Sequence, residues 1–195
     1  MVSKIDICNL ALAHLGQEGI SSLTQEDERA RRIHLFYEPV KAEVLRTHNW
    51  AFALVREPLV LLEDPSAPAY PYLYQYPADG LFVRKVFAGA EGRKPYPFKE
   101  VYRRRINQRA VQTPAPQAVA EYTRDVQDAT QFDPAFVKAF SLALAADLAL
   151  TLTGDEDLCR LMLGRYSQCL EEARRSNMSE GFEIPPADSA FVGVR

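Results

Sequence analysis

The apolar positions change period along the chain, and that change divides it into three parts. Near the N-terminus Ile5, Cys8, Leu12 and Leu15 recur at spacings of three and four. This is the stripe of a short amphipathic helix, with Leu10 and Ala11 widening its apolar side. Ser3 stands as N-cap with Asp6 three residues on, and Gly16 ends the pattern. A second, longer stripe is formed by Ala30, Ile33, Tyr37, Val40, Val44 and Leu45, preceded by the acidic run Glu26-Asp27-Glu28 that suits a helix N-terminus. Pro39 lies within this stripe, and an interior proline removes one backbone donor, so the sequence predicts a kink there or two helices meeting.

After Trp50 the period shortens to two. Ala51 to Val55 is followed by Pro58, Pro65, Pro68, Pro71 and Pro77, which excludes one continuous helix and reads as loop passing into strand. Tyr70, Tyr72, Tyr74 and Tyr76 alternate, Leu81 to Phe87 is rich in β-formers and ends at the Gly89/Gly92 turn, and Val119 to Thr123 reads as a further strand. Helical spacing then returns. Asp133-Pro134 is an N-cap with proline at the first helical position, Phe136 to Leu152 supplies the stripe, and Gly154 takes the C′ position. A last helix opening at Asp155 carries Leu158, Met162, Tyr166, Cys169, Leu170 and Ala173 and is predicted to end near Asn177. From Glu180 to Arg195, with Pro185-Pro186 and no period, the reading is a mobile tail.

These elements predict an α+β fold, mainly helical. Residues 1–55 and 126–178 are expected to form a discontinuous helix bundle, 56–125 a small antiparallel β insertion, and 179–195 a C-terminal tail. Trp50 and Phe52, at the end of the second helix, are expected to anchor the junction between bundle and sheet, as structural residues.

Composition narrows the class. The chain has 195 residues, a net charge of -3 and 25% charged residues, as in an ordinary folded domain. No apolar run reaches the roughly 20 residues of a membrane span, because Phe136 to Leu152 holds Lys138 and Asp147. The first residues lack a signal-peptide h-region, which reads as mature protein. Cys8, Cys159 and Cys169 have no C-x-x-C spacing, which argues for a reducing compartment and against a zinc module.

Charge is unevenly placed. Between Arg84 and Arg109 stand nine basic residues and two acidic ones, a balance of +7 that leaves -10 on the remainder. The segment includes Arg93, Lys94, Arg103, Arg104 and Arg105, interleaved with Phe87, Tyr96, Phe98 and Tyr102. A basic surface meeting an acidic protein partner is the favoured reading, ahead of a solvated strand-edge charge run and of nucleic-acid phosphate contact. Tyr70, Tyr72, Tyr74 and Tyr76 are candidates for a protein interface if exposed, with core packing the default for part of the set. Catalytic signals are weak. His14, His34 and His48 have no metal-ligand spacing, nothing near His48 supplies an activated nucleophile, and G-x-S-x-G, P-loop and G-x-G-x-x-G patterns are missing. Glu26-Asp27-Glu28 and Asp155-Glu156-Asp157 read better as helix starts than as paired catalytic carboxylates.

An ordered set of segments carries a resemblance. It comprises Asn9 to Leu12 through Leu15-Gly16-Gln17 and Ile20 to Leu23; Glu28 to Tyr37 running into Leu45 to Ala53; Tyr76 to Leu81; Tyr122 to Val126; Phe132 to Phe136 into Ala139 to Leu152; and Tyr166 with Ala173-Arg174. Taken in order, these resemble the tail tubular protein A family of short-tailed phages, the head-to-tail adaptor or gatekeeper. Residues 88–116 and the tail after Glu180 do not match it. The resemblance implies a virion protein made in the host cytoplasm, assembled as a ring, usually of twelve, between portal and tail nozzle. It implies DNA passing through without sequence-specific binding, no membrane, and no catalytic residue, metal or cofactor. Arg93, Lys94, Arg103, Arg104, Arg105, Pro185, Pro186 and the four tyrosines are the candidate interface. A DNA-binding accessory protein using residues 84–109 is the alternative, and a tail-associated cell-wall hydrolase, testable at Asp79 or Glu100, the further one.

Overall fold

A computed structural model of the chain describes residues 2–62, 70–104 and 107–180, with side chains to residue 175. Pro65, Pro68, Arg105 and the tail bearing Pro185 and Pro186 lie outside the described residues.

Helix α1 (Lys4–His14) starts as the sequence predicts: Ser3 Oγ accepts from the Asp6 amide at 3.1 Å while Asp6 Oδ2 accepts from the Ser3 amide at 2.8 Å. Its buried side differs from the expected stripe. Ile7, Cys8, Ala11, Leu12 and Leu15 point inward, whereas Ile5 is half-buried and Leu10 is 44% exposed. Helix α2 (Glu28–Thr47) buries every residue of its predicted stripe and is capped by Asp27. It runs unbroken through Pro39, so it is not two helices. Pro39 is exposed and on the water side, where the carbonyl left without an amide partner can be hydrated.

A 3₁₀ turn over Ala51–Ala53 leads into β1 (Leu54–Pro58), followed by β2 (Leu61–Leu62), β3 (Tyr72–Gln75), β4 (Gly80–Ala88), β5 (Pro95–Tyr96), β6 (Lys99–Arg103), β7 (Gln108–Thr113) and β8 (Ala118–Arg124). Helices α3 (Pro134–Thr153) and α4 (Glu156–Glu180) complete the fold. Asp133 caps α3 with Pro134 in its first turn, and Gly154 ends it at φ 68°.

The predicted fold class needs correcting. The β region is not small: among the described residues it is two four-stranded antiparallel sheets, ordered β1-β8-β4-β5 and β2-β3-β7-β6. Tyr74 and Val111 from one sheet share a core with Val83, Val86, Ala120 and Tyr122 from the other. Three strands, β5 to β7, lie within or beside the stretch that reads in sequence as a charge run. Nor do the helices clearly form a bundle. A bundle needs an apolar seam on every helix, but α3 buries twelve of its twenty residues and is sheathed by α1, α2 and α4. By length and composition α3 is apolar enough to cross a bilayer, despite Lys138 and Asp147, yet 67% of its most apolar window is buried inside the protein.

Phe136 organises the helical core. Its ring lies 5.2 Å from Trp50, 5.1 Å from Phe52, 4.8 Å from Phe132 and 5.7 Å from Phe140, mostly edge to face. Trp50 Nε1 donates to the Val44 carbonyl at 2.9 Å, tying the chain after α2 back onto that helix.

The two cores are joined through β4. Against β8, this strand shows register shifts between Gly80 and Phe82 and between Val83 and Lys85, leaving Leu81 and Arg84 as the extra residues. The second bulge lets Val83 and Val86, of opposite parity, both enter the sheet core. It also sends Arg84 toward the end of α2. The Arg84 guanidinium donates to the carbonyls of Arg46 at 2.8 Å, His48 at 3.1 Å and Leu45 at 3.4 Å, and to Thr123 Oγ1 at 3.0 Å. A cation on the last carbonyls of a helix satisfies orphan acceptors and complements the helix dipole. Arg46 returns a bond to the Leu81 carbonyl at 3.0 Å. Deeper in, Lys41, 1% exposed, sits 2.6 Å from Glu38 and 3.0 Å from Asp125, ionic contacts whose angles fall short of directed hydrogen bonds. Burial raises the Glu38 carboxyl, but Lys41 and Lys4 outweigh it and leave it below its ordinary value.

Arg84→Ala is expected to lower stability in urea unfolding by about 2 kcal/mol, the range for hydrogen bonds from a charged donor. Arg84→Lys should recover only part of that, because an ammonium cannot reproduce the planar fork. Amide exchange of residues 45–48 should accelerate in both variants.

Candidate functional site

The chain passes between the two sheets four times through short links, residues 59–60 from β1 to β2, 76–79 from β3 to β4, 97–98 from β5 to β6 and 114–117 from β7 to β8. The link from β5 to β6 places these outer strands on one flank of the paired sheets. Most of the basic segment is displayed there.

The nine cations of that segment divide by use. Arg84 is spent on α2. Lys85 pairs with Glu121 at 3.4 Å, and Arg109 lies 3.8 Å over the Tyr76 ring while pairing with Glu100 at 2.7 Å. Lys99 is exposed and stands 4.9 Å from the centre of the Tyr70 ring, and Arg103 is half-buried. Arg93, Lys94 and Arg104 are exposed and have no ion-pair partner among the described residues. Beside them Tyr96 is 38% and Tyr102 is 59% exposed, and the Tyr102 hydroxyl donates to Asn107 Oδ1. The flank thus joins unneutralised cations to outward aromatic rings, a composition common in protein and polyanion contacts. Arg105 lies outside the described residues.

The alternating tyrosines do not share one environment. Tyr70 and Tyr72 are half-buried, while Tyr74 and Tyr76 belong to the sheet core. Tyr74 donates to the Ala115 carbonyl at 2.9 Å. Leu73, of opposite parity, is also buried, on a strand paired along both edges by β2 and β7. The exposed tyrosines are Tyr96 and Tyr102, which sequence reading counts only as companions of the charge run. Their place on outer strands was the missing signal, and it depends on long-range pairing. Trp50 and Phe52 sit in the helical core on Phe136, immediately before β1.

The groups most open to a catalytic reading are otherwise engaged. Asp27 accepts from the Arg29 amide at 2.7 Å, and the Arg29 guanidinium lowers its carboxyl to about 2. Asp155 Oδ1 accepts from the amides of Asp157 at 2.9 Å and Leu158 at 3.0 Å, so both acidic runs supply helix caps. Glu100 is held by Arg109. Asp79 and Glu57 flank the Tyr122 hydroxyl at 3.0 and 3.1 Å in an open cleft of about 290 Å³, where burial and then the two carboxylates raise the phenol. No cluster of three or more metal-ligating side chains occurs among the described residues. His34 is exposed; His48 lies edge-on to Trp50 with ring centres 4.8 Å apart. Burial, then Arg174 and Arg84, lower the His48 imidazole, and burial, then Arg165, lower His14. All three cysteines are free thiols, and burial pushes Cys8 up to about 12.

No protein-family model matches the chain, and no curated protein matches it in sequence.

Tyr74→Phe should cost about 1 kcal/mol in urea unfolding, the value of one buried hydrogen bond. Tyr102→Ser should stay within about 0.5 kcal/mol of the parent, as surface changes do. The histidines set a pH dependence of opposite origin to a salt bridge. Because both imidazoles are depressed on folding, the unfolded chain takes up protons first as pH falls through about 6.5, so stability is full above that value and declines below it. Unfolding free energy at pH 5.5 should be lower than at pH 7.5, and His48→Gln should flatten the difference.

Proposed function

We propose that this chain is a non-enzymatic virion component, a head-to-tail adaptor subunit that joins a portal to a tail nozzle and forms part of the DNA passage. The observation that carries the reading is the ordered set of segments from Asn9 to Arg174, which resembles the tail tubular protein A family across nearly the whole chain up to about Glu180. The architecture is compatible with that role. An adaptor subunit must hold two or more contact faces in a fixed relation while genome and neighbours press on it. Here a helical core and a sheet core are joined by hydrogen bonds from Arg84 to the end of α2 and by the ion pair of the buried Lys41 with Asp125. The flank of β5 and β6 then offers cations and tyrosines to another component. By the same resemblance the assembly is a ring of about twelve copies with DNA passing through unread, made in the host cytoplasm and carried in the virion.

The test is the mass of the full chain mixed with its portal, measured by mass photometry. A ring-sized complex bearing both proteins is expected. A chain that remains apart from the portal at micromolar concentration would overturn the adaptor reading.

A further inference from the structure

We infer that the basic flank of one protomer docks on an acidic patch around Glu43 and Asp147 of a second copy of this chain, in a head-to-tail contact. This rests on the adaptor reading for the expectation of self-contact, while the surfaces are identified from charge and exposure alone.

Glu43 lies on α2 and Asp147 on α3, two helices that pack against each other, and both side chains are exposed. Neither has a cation at ion-pair distance among the described residues, unlike Glu28, Glu156 and Glu171, which are each neutralised by an arginine three or four positions along the same helix. The two like charges act on each other: burial first, and then Glu43, raise the Asp147 carboxyl. One turn beyond Asp147, Leu150 is 55% exposed, so the patch pairs uncompensated anions with an outward apolar side chain. The flank is its complement, with Arg93, Lys94 and Arg104 lacking an ion-pair partner among the described residues and Tyr102 outward. Among the described residues no ion pair joins the two patches within a protomer.

Docking one on the other neutralises both and covers Leu150 with an aromatic ring, the mixed apolar and charged composition of a protein contact. A nucleic acid bound at the flank would leave Glu43 and Asp147 as they are. Because the mating surfaces differ, the contact is heterologous, and it propagates until its rotation closes a ring.

The experiment is charge reversal on the full chain without portal, read by sedimentation velocity at low and high salt. The parent should form species larger than a monomer that shrink as salt rises. Lys94→Glu with Arg104→Glu should weaken association about tenfold or more, as should Glu43→Lys with Asp147→Lys. The four changes combined should restore it, since the charges then match again. Unchanged urea midpoints establish that the variants fold. A parent monomeric at every salt, reversals without effect on mass, or a fourfold variant that stays monomeric would each overturn the inference. So would loss of binding to a single-stranded oligonucleotide in the flank variant with its mass distribution unchanged. Portal association, measured separately, decides the adaptor reading whichever way this falls.

Discussion

The guanidinium of Arg84 resting on the last carbonyls of α2 is the contact on which the arrangement of the molecule depends. Each core can form from its own apolar residues, but nothing in hydrophobic burial alone sets one core against the other, because burial has no direction. Direction comes from a planar donor meeting a helix terminus whose orphan carbonyls all point the same way. The bulge that aims Arg84 is the same irregularity that brings both Val83 and Val86 into the sheet core, so one extra residue fixes the sheet interior and the docking of the sheets together.

That coupling bears on the proposed role. Lys41, Glu38 and Asp125 form a second tie between α2 and the chain leaving β8, with Lys41 shielded from water. Buried ionic contacts contribute little net stability but penalise misalignment, since a displaced partner leaves a charge unpaired in a poor solvent. A subunit held this way transmits position from its helices to its sheet flank, which is what a connecting part in an assembly requires. The outward tyrosines sit on the outer strands and the unpaired cations in the loops beside them, where a side chain can reach a neighbour without disturbing either core.

Several elements were legible because their signals are local. The capping box of Ser3 and Asp6, the Asp133-Pro134 start, the Gly154 stop and the stripe of α2 each depend on residues within one or two turns. Pro39 shows the limit of that logic: a proline predicts a break, yet on the water side the helix continues. The β region reads as small in the sequence because β5 to β7 are short, charged and carry few of the residues that mark a strand. What makes them strands is pairing, β5 with the preceding β4 and β6 with the following β7, while β7 is fixed in place by β3 from far earlier in the chain.

By itself, then, the sequence determined where the helices begin, which residues line α2, and that positive charge gathers in one third of the chain. Only the tertiary structure decided that there are two complete sheets, that Tyr74 and Tyr76 are inside while Tyr96 and Tyr102 are outside, and which cations remain available to a partner. The reason is range. Caps and helical stripes are set by neighbours three or four residues away, whereas strand pairing, bulge placement and the burial of a given tyrosine are set by contacts across tens of residues, which no local pattern encodes.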